Sequence, residues 1–234
     1  MRIIDTRSGI PSFISRLAAI EGLDNATNHY SYLSQSGNNA ANTIRRYNLE
    51  NYLLRMTSIS PNIALIGEAP GFRGCRLTGV PFTSEYLLLN GELNEWMMFQ
   101  ATREKVEGTA LEWSSFQKTT ETASLSKEAT ATIVWETLIK LDCCPILWNA
   151  FPFHPHKPER LNSNRKPGID DLAIGEPFLL ELLSLFEIDT IIAVGRTAAR
   201  ILHKLGLKAA PVRHPSYGGK ADFVGGLTEI VSSR

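Results

Sequence analysis

The chain has 234 residues, balances 24 Lys and Arg against 24 Asp and Glu, and is 43% apolar and 21% charged. That length suits one domain with an elaboration, and the neutral balance argues against a strongly cationic nucleic-acid binder. No apolar run is long enough to span a membrane, and the start, MRIIDTRSGIPSF, lacks the apolar core of a signal peptide, so a cytoplasmic protein is the expectation.

Phe13, Ile14, Leu17 and Ala18 recur at helical spacing and predict a short amphipathic helix over 11–22. Residues 24–39, rich in Asn, Ser, Gly and Gln, read as a loop. A second helix is predicted over 40–57, stopped by Ser58-Ile59-Ser60-Pro61. Four short apolar runs follow at 62–67, 145–151, 189–195 and 209–213. None alternates, as expected for strands covered on both faces. Helical patterns at 131–141, 170–186 and 196–205 separate them, which predicts an open, mostly parallel sheet between helices, a three-layer α/β/α sandwich. The Ser-, Thr- and Glu-rich stretch 84–130 reads as a helical or mobile insertion, and 1–58 as a helical extension of the same single domain.

Charge is unevenly placed. Ser84 to Leu138 holds nine Glu and four Lys or Arg, whereas His154 to Lys166 holds four Lys or Arg, two His and one Glu. Cys75, Cys143 and Cys144 are the only cysteines and show no CxxC spacing, which argues against a zinc or iron–sulphur site. Asp170 and Asp171 fall at a predicted helix start, where carboxylates cap.

Ligands of open parallel sheets bind beyond the carboxyl ends of the strands. The residues there are Gly67-Glu68-Ala69-Pro70-Gly71, Asn149, Gly195-Arg196 and Arg213-His214-Pro215-Ser216. Two glycines permit close approach of a ligand, and turn N–H groups can face an anion or a carbonyl oxygen. An Asn inside an apolar strand needs partners, from a neighbouring loop or from a heterocycle edge. A histidine before proline has an extended backbone, and its neutral ring can stabilise a developing oxyanion.

In this order the segments resemble the uracil-DNA glycosylase superfamily. GEAPG at 67–71 is similar to the first motif of the branch that usually carries an iron–sulphur cluster. Thr78-Gly79-Val80-Pro81-Phe82-Thr83 resembles that branch's Gly-x-Pro-Phe stretch, Asn149 in ILWNAFP its motif asparagine, Val194 to Ala199 the corner before the last motif, and His214-Pro215-Ser216 the His-Pro-Ser motif. The resemblance runs from about residue 60 to the C-terminus.

It implies a hydrolytic enzyme that flips uracil out of DNA and cleaves its N-glycosidic bond. Phe82 would stack on the pyrimidine, Asn149 would read N3 and O4, and His214 would hold negative charge on O2. Gly67, Ala69, Pro70 and Gly71 would form the cradle, and Ser216 would grip phosphate. Arg73, Pro215, Tyr217 and Gly218 would meet the DNA, with Tyr217 filling the gap left by the base.

The sequence departs from the family's pattern in three ways. Ala69 stands where the most active branch has a water-positioning Asp, leaving Glu68 as the neighbouring carboxylate. Phe72-Arg73-Gly74-Cys75-Arg76 follows the corner in place of acidic residues. The cluster cysteines are missing, so the expectation is an enzyme without cofactor or metal, acting as a monomer on uracil-containing DNA. Two other readings stand beside it: a non-catalytic nucleic-acid or damaged-base binding module with the same pocket, and an unrelated nucleotide-binding α/β enzyme, for example a phosphate-ester hydrolase.

Overall fold

The computed structural model describes residues 6–33, 39–89, 93, 96, 116–118 and 124–233. Its centre is a four-stranded, wholly parallel sheet in the order β3-β2-β5-β6. The strands are β2 (Ile63–Gly67), β3 (Ile146–Asn149), β5 (Thr190–Val194) and β6 (Ala209–Val212). Every residue of β2 and β3 is buried. That explains the absence of alternation in their sequences: helices flank the sheet and both faces of these two strands are dry, giving the α/β/α sandwich.

The helices are α1 (Thr6–Ala18), α2 (Asn39–Ile59), α3 (Cys75–Thr78), α4 (Glu85–Leu89), α5 (Ala129–Lys140), α6 (Ile169–Leu185), α7 (Gly195–Lys204) and α8 (Lys220–Ser232). The first begins a turn earlier than its sequence pattern suggests and buries Ile10, Phe13, Ile14 and Leu17. Its Phe13 ring lies 5.5 Å from that of Trp148 on β3 and 6.1 Å from that of Phe178 on α6. The N-terminal helix is therefore welded into the central core. The Asn28 amide closes its end, donating to the carbonyls of Leu17 and Ile20 at 2.9 Å.

Two local features were not anticipated. Within the expected loop 24–39, β1 (Ala26–Thr27) pairs antiparallel with β4 (His154–Pro155), tying the N-terminal segment to the basic run. The C-terminal helix α8 buries Phe223 and Leu227. Of the expected insertion, 84–130, α4 and a few further residues are described, including the buried Leu93 and Phe116; the rest lies outside the described residues. No helix among those described is long and apolar enough to cross a membrane.

Capping fixes where the helices begin. The Glu128 carboxylate accepts the N–H groups of Thr130 and Ala131 at 3.1 and 3.2 Å to start α5. Asp171 accepts the N–H of Gly168 at 2.7 Å and an N–H of Arg165 at 2.6 Å, so it starts α6 rather than facing a ligand.

Candidate active site

Because the four strands are parallel, all their carboxyl ends reach one edge of the sheet. Gly67 ends β2 directly opposite Asn149, which ends β3. A methyl group at Gly67 would lie 2.5 Å from Phe82 Cζ and 2.7 Å from Asn149 Oδ1. The Phe82 ring, from a loop, and the Asn149 carboxamide, from the end of β3, therefore close on one glycine. The space is tight: Phe82 is 8% exposed and Asn149 5%. The Asn149 side chain hydrogen-bonds nothing among the described residues, so no neighbouring loop consumes its amide.

Phe82 reaches Gly67 from an unusual backbone. Its φ is +53°, a left-handed conformation that costs a bulky residue on the order of 1–3 kcal/mol. Three contacts hold the loop there. The Trp135 indole on α5 donates to the Phe82 carbonyl at 2.9 Å. The Thr83 hydroxyl lies 2.8 Å from that of Thr78 and donates to the Val80 carbonyl at 2.7 Å. The fully buried Asn48 of α2 donates to the Thr78 carbonyl at 2.9 Å. Gly79, at φ +78°, passes so close to the Arg45 backbone that no side chain fits. Asn48, Trp135 and Gly79 are supports that sequence reasoning missed, because they act through tertiary contact; the Gly in Gly-x-Pro-Phe was the one visible signal.

The corner after β2 is built on its own backbone. The Gly67 and Glu68 carbonyls accept the N–H groups of Ala150 and Phe151 at 2.9 and 3.1 Å, fixing the two loops together. His154, fully buried, places Nδ1 2.9 Å from the Pro70 carbonyl and Nε2 3.0 Å from the Leu161 carbonyl. Ala69 packs against the core. The Glu68 carboxylate is half-buried and has no hydrogen-bond or ion-pair partner among the described residues. Nothing crowds Gly71. Beside it opens a groove of about 580 Å³, lined in part by Arg73, Lys127, Lys220 and Asn164. Arg73 is exposed there, stacked over Phe72.

His214 comes to the same edge. It follows β6 but leans over Gly195, whose φ of +84° and missing side chain admit it: a methyl there would lie 3.2 Å from His214 Cβ. Gly195 follows β5, the strand beside β2, so His214 reaches the same sheet edge as Gly67 from the neighbouring strand. The backbone N–H of Ser216 donates to His214 Nδ1 at 3.2 Å, and the Ser216 hydroxyl is 2.7 Å from the same atom. An accepting Nδ1 puts the proton of the neutral ring on Nε2. Burial, reinforced by Arg213, lowers the ring's pKa, so the neutral form dominates at pH 7.

The following loop turns sharply. Gly219 donates to the Ser216 carbonyl at 3.1 Å and has no room for a side chain. Pro215 is buried, Tyr217 projects 98% exposed at φ +51°, and Gly218 beside it is at +77°. Of the basic run, Arg165 is spent on the fold, bonded to Asp171 and to the carbonyls of Asp24 and Asn25.

Among the described residues no group of three or more His, Cys, Asp or Glu side chains converges as a metal site would require. Cys75 faces Tyr30 and His29 at 3.7 and 3.8 Å, and burial pushes its thiol up to about 12. A second cavity of about 620 Å³ lies behind the corner, and neither cavity is lined by Phe82, Asn149 or His214.

The chain is similar to the crystal structure of wild-type Pedobacter heparinus SMUG2, with a TM-score of 0.58 at 14% identity, over 99% of this chain and 98% of that one. At that identity the likeness shows the fold. No curated protein matches the chain by sequence. Residues 55–223 match the model of a family described as the uracil DNA glycosylase superfamily, a span that holds the corner, the Phe82 loop, Asn149 and the His214 turn, and the chain belongs to that superfamily.

Proposed function

We propose that this protein is a DNA-repair glycosylase that hydrolyses the N-glycosidic bond of uracil, or of a related deaminated base, flipped out of DNA. Family membership supports the glycosylase class. The observation that carries uracil is the convergence of an aromatic ring and an unused carboxamide on Gly67. A pyrimidine entering there would stack on Phe82, a contact worth about 1–3 kcal/mol. The Asn149 amide would donate to O4 and accept from N3–H. Cytosine presents the opposite pattern and would be rejected.

Bond cleavage builds positive charge on the sugar and negative charge on the departing uracil. His214 Nε2–H would donate to O2 as that charge grows, with N–H groups of the 67–71 corner beside it. Water would attack C1′ of an oxocarbenium-like sugar. Ala69 carries no carboxylate to orient that water, so we assign the role to Glu68. Ser216, already bonded to His214, would fix the ring and meet a phosphate. Arg73 and Gly218 would contact the backbone, Pro215 would set the turn, and Tyr217 would occupy the gap left by the base. The reading includes a single domain, with 1–58 as an extension and 84–130 as an insertion, acting as a cytoplasmic monomer without a cofactor.

The test is single-turnover excision on oligonucleotides bearing U·G, U·A, single-stranded U, hypoxanthine or xanthine, with His214→Ala and Asn149→Asp as controls. Abasic product from a uracil substrate is expected, with loss of about 10²-fold or more in either variant. The missing aspartate at Ala69 favours one other reading, a binding module with the same pocket; uracil-dependent binding without abasic product would establish that instead.

A further inference from the structure

The cavity behind the corner has no part in this mechanism, and its lining is chemically specific. It holds about 620 Å³, within the range of small-molecule sites. Arg45 from α2 and Arg76 from α3 line it, His29 lies in its wall, and Ile20, Leu23, Leu33 and Leu161 give it an apolar part among further polar residues.

Both guanidinium groups are oriented by carbonyl and amide oxygens, and neither forms an ion pair among the described residues. Arg45 donates Nε to the Leu77 carbonyl at 3.3 Å and Nη1 to Asn42 Oδ1 at 2.6 Å. Arg76 donates Nε to the Phe72 carbonyl at 3.1 Å and Nη2 to Asn162 Oδ1 at 2.9 Å. That leaves Nη2 of Arg45 and Nη1 of Arg76 unbonded. Two partly buried cations that repel each other are costly without an anion. Burial and then Arg76 lower the Arg45 pKa to about 10, still charged at neutral pH.

His29 closes the wall beside them. It is 1% exposed, with Nδ1 shut off from solvent and Nε2 facing the Cys75 sulphur at 3.8 Å. Burial, then Arg45, keeps the ring neutral, with the Thr27 carbonyl pulling weakly the other way. The ring forms a neutral wall beside the two guanidinium groups rather than a third donor to an anion. Glu21 and Glu159 stand exposed at the rim, where water screens them more than the interior cations.

We propose that this cavity binds the phosphate monoester of a nucleotide, its phosphate between Arg45 and Arg76 and its nucleoside against Leu23, Leu33 and Leu161. Guanidinium pairs suit phosphate oxygens geometrically, and the apolar wall suits a base or sugar better than a bare ion. The phosphate could arrive on a free nucleotide or on the 5′ end of a DNA strand. The site does not depend on the excision chemistry: Phe82, Asn149 and His214 do not line it, and neither arginine serves the base pocket.

The test is calorimetric titration of the full chain with thymidine 5′-monophosphate, thymidine, inorganic phosphate, and oligothymidylate with or without a 5′-phosphate. Saturable binding of the monophosphate is expected, at least about tenfold tighter than thymidine. It should be unchanged in His214→Ala and at least about tenfold weaker in Arg45→Gln. Tighter binding of the 5′-phosphorylated oligonucleotide than of the monophosphate assigns the site to DNA ends; the reverse assigns it to free nucleotides. Equal binding of thymidine and its monophosphate, retention in Arg45→Gln, or loss in His214→Ala would each overturn the proposal. If Arg45→Gln does not fold, Arg76→Gln takes its place, and monophosphate binding at full strength in that variant rejects the site.

Discussion

Gly67 and Asn149 stand opposite each other at the ends of two parallel strands, and the Asn149 carboxamide oxygen occupies the side that a Gly67 side chain would take. The Phe82 ring takes what remains. The glycine is thus required by its neighbours, independently of backbone angle. Gly67→Ala should displace the ring or the amide. An overpacked site costs about 1–3 kcal/mol of stability, whereas a misplacement near 1 Å can cost about 10²-fold in rate. Single-turnover excision should fall by that factor while the melting temperature drops by only a few degrees; an active Gly67→Ala would mean that the base sits elsewhere.

Glu68 is the one carboxylate at the corner, and its lack of a partner among the described residues leaves it available to a water molecule. Glu68→Gln preserves size and one acceptor but removes the charge that would polarise the attacking water. A positioned base typically contributes 10²–10⁴-fold, and a group that mainly orients water gives less, so a drop of about 10- to 10²-fold in single-turnover excision is expected. Unchanged rates would remove Glu68 from the mechanism and leave anion stabilisation by His214 to carry the reaction.

Acid should destabilise the fold before the carboxylates titrate. His29, His154 and His214 all have ring pKa values lowered, with burial the first cause in each; the Pro70 and Leu161 carbonyls oppose it at His154. Unfolded, each ring titrates near 6.5. Above that pH both states are neutral and the stabilisation is complete. As pH falls below it, the unfolded chain takes protons that the folded chain resists, and stability declines until the folded values are passed. Each ring that stays neutral contributes up to about 1.4 kcal/mol per pH unit over that window. Melting curves from pH 8 to 5.5 should be flat at first and then fall; a melting temperature that rises on acidification would show that the buried rings are charged in the folded state.

The strands were legible because both faces are buried: IALIG and ILWN carry no alternation, and each ends in the residue that meets the site. The C-terminal helix was not, because Gly225 and Gly226 sit in the middle of its apolar spacing and packing of Phe223 and Leu227 overrides their poor propensity. Motif order brought Phe82, Asn149 and His214 to one sheet edge in the reading of the sequence. The means of doing so were invisible there. A left-handed Phe, an indole on its carbonyl and an Asn from α2 behind the loop are all contacts between distant segments. The same limit applies to Arg76 in the run after the corner, whose guanidinium bonds Asn162 and lines the other cavity.

Those supports give the last prediction. Trp135 holds the Phe82 carbonyl through its indole N–H, and Phe82 bears a left-handed backbone that relaxation would favour leaving. Trp135→Phe keeps an aromatic ring in the core but leaves that carbonyl unsatisfied, at a cost of about 1–3 kcal/mol. The ring of Phe82 should then lose its fixed position over Gly67 while Asn149 and His214 keep theirs. Stacking acts on the base before and during cleavage, so its loss should weaken substrate binding more than it slows the chemical step. KM for a uracil oligonucleotide should rise about tenfold with kcat reduced less than threefold, on the stacking energies expected for one base. A fall in kcat with KM unchanged would instead place Phe82 among the groups that act only in the transition state.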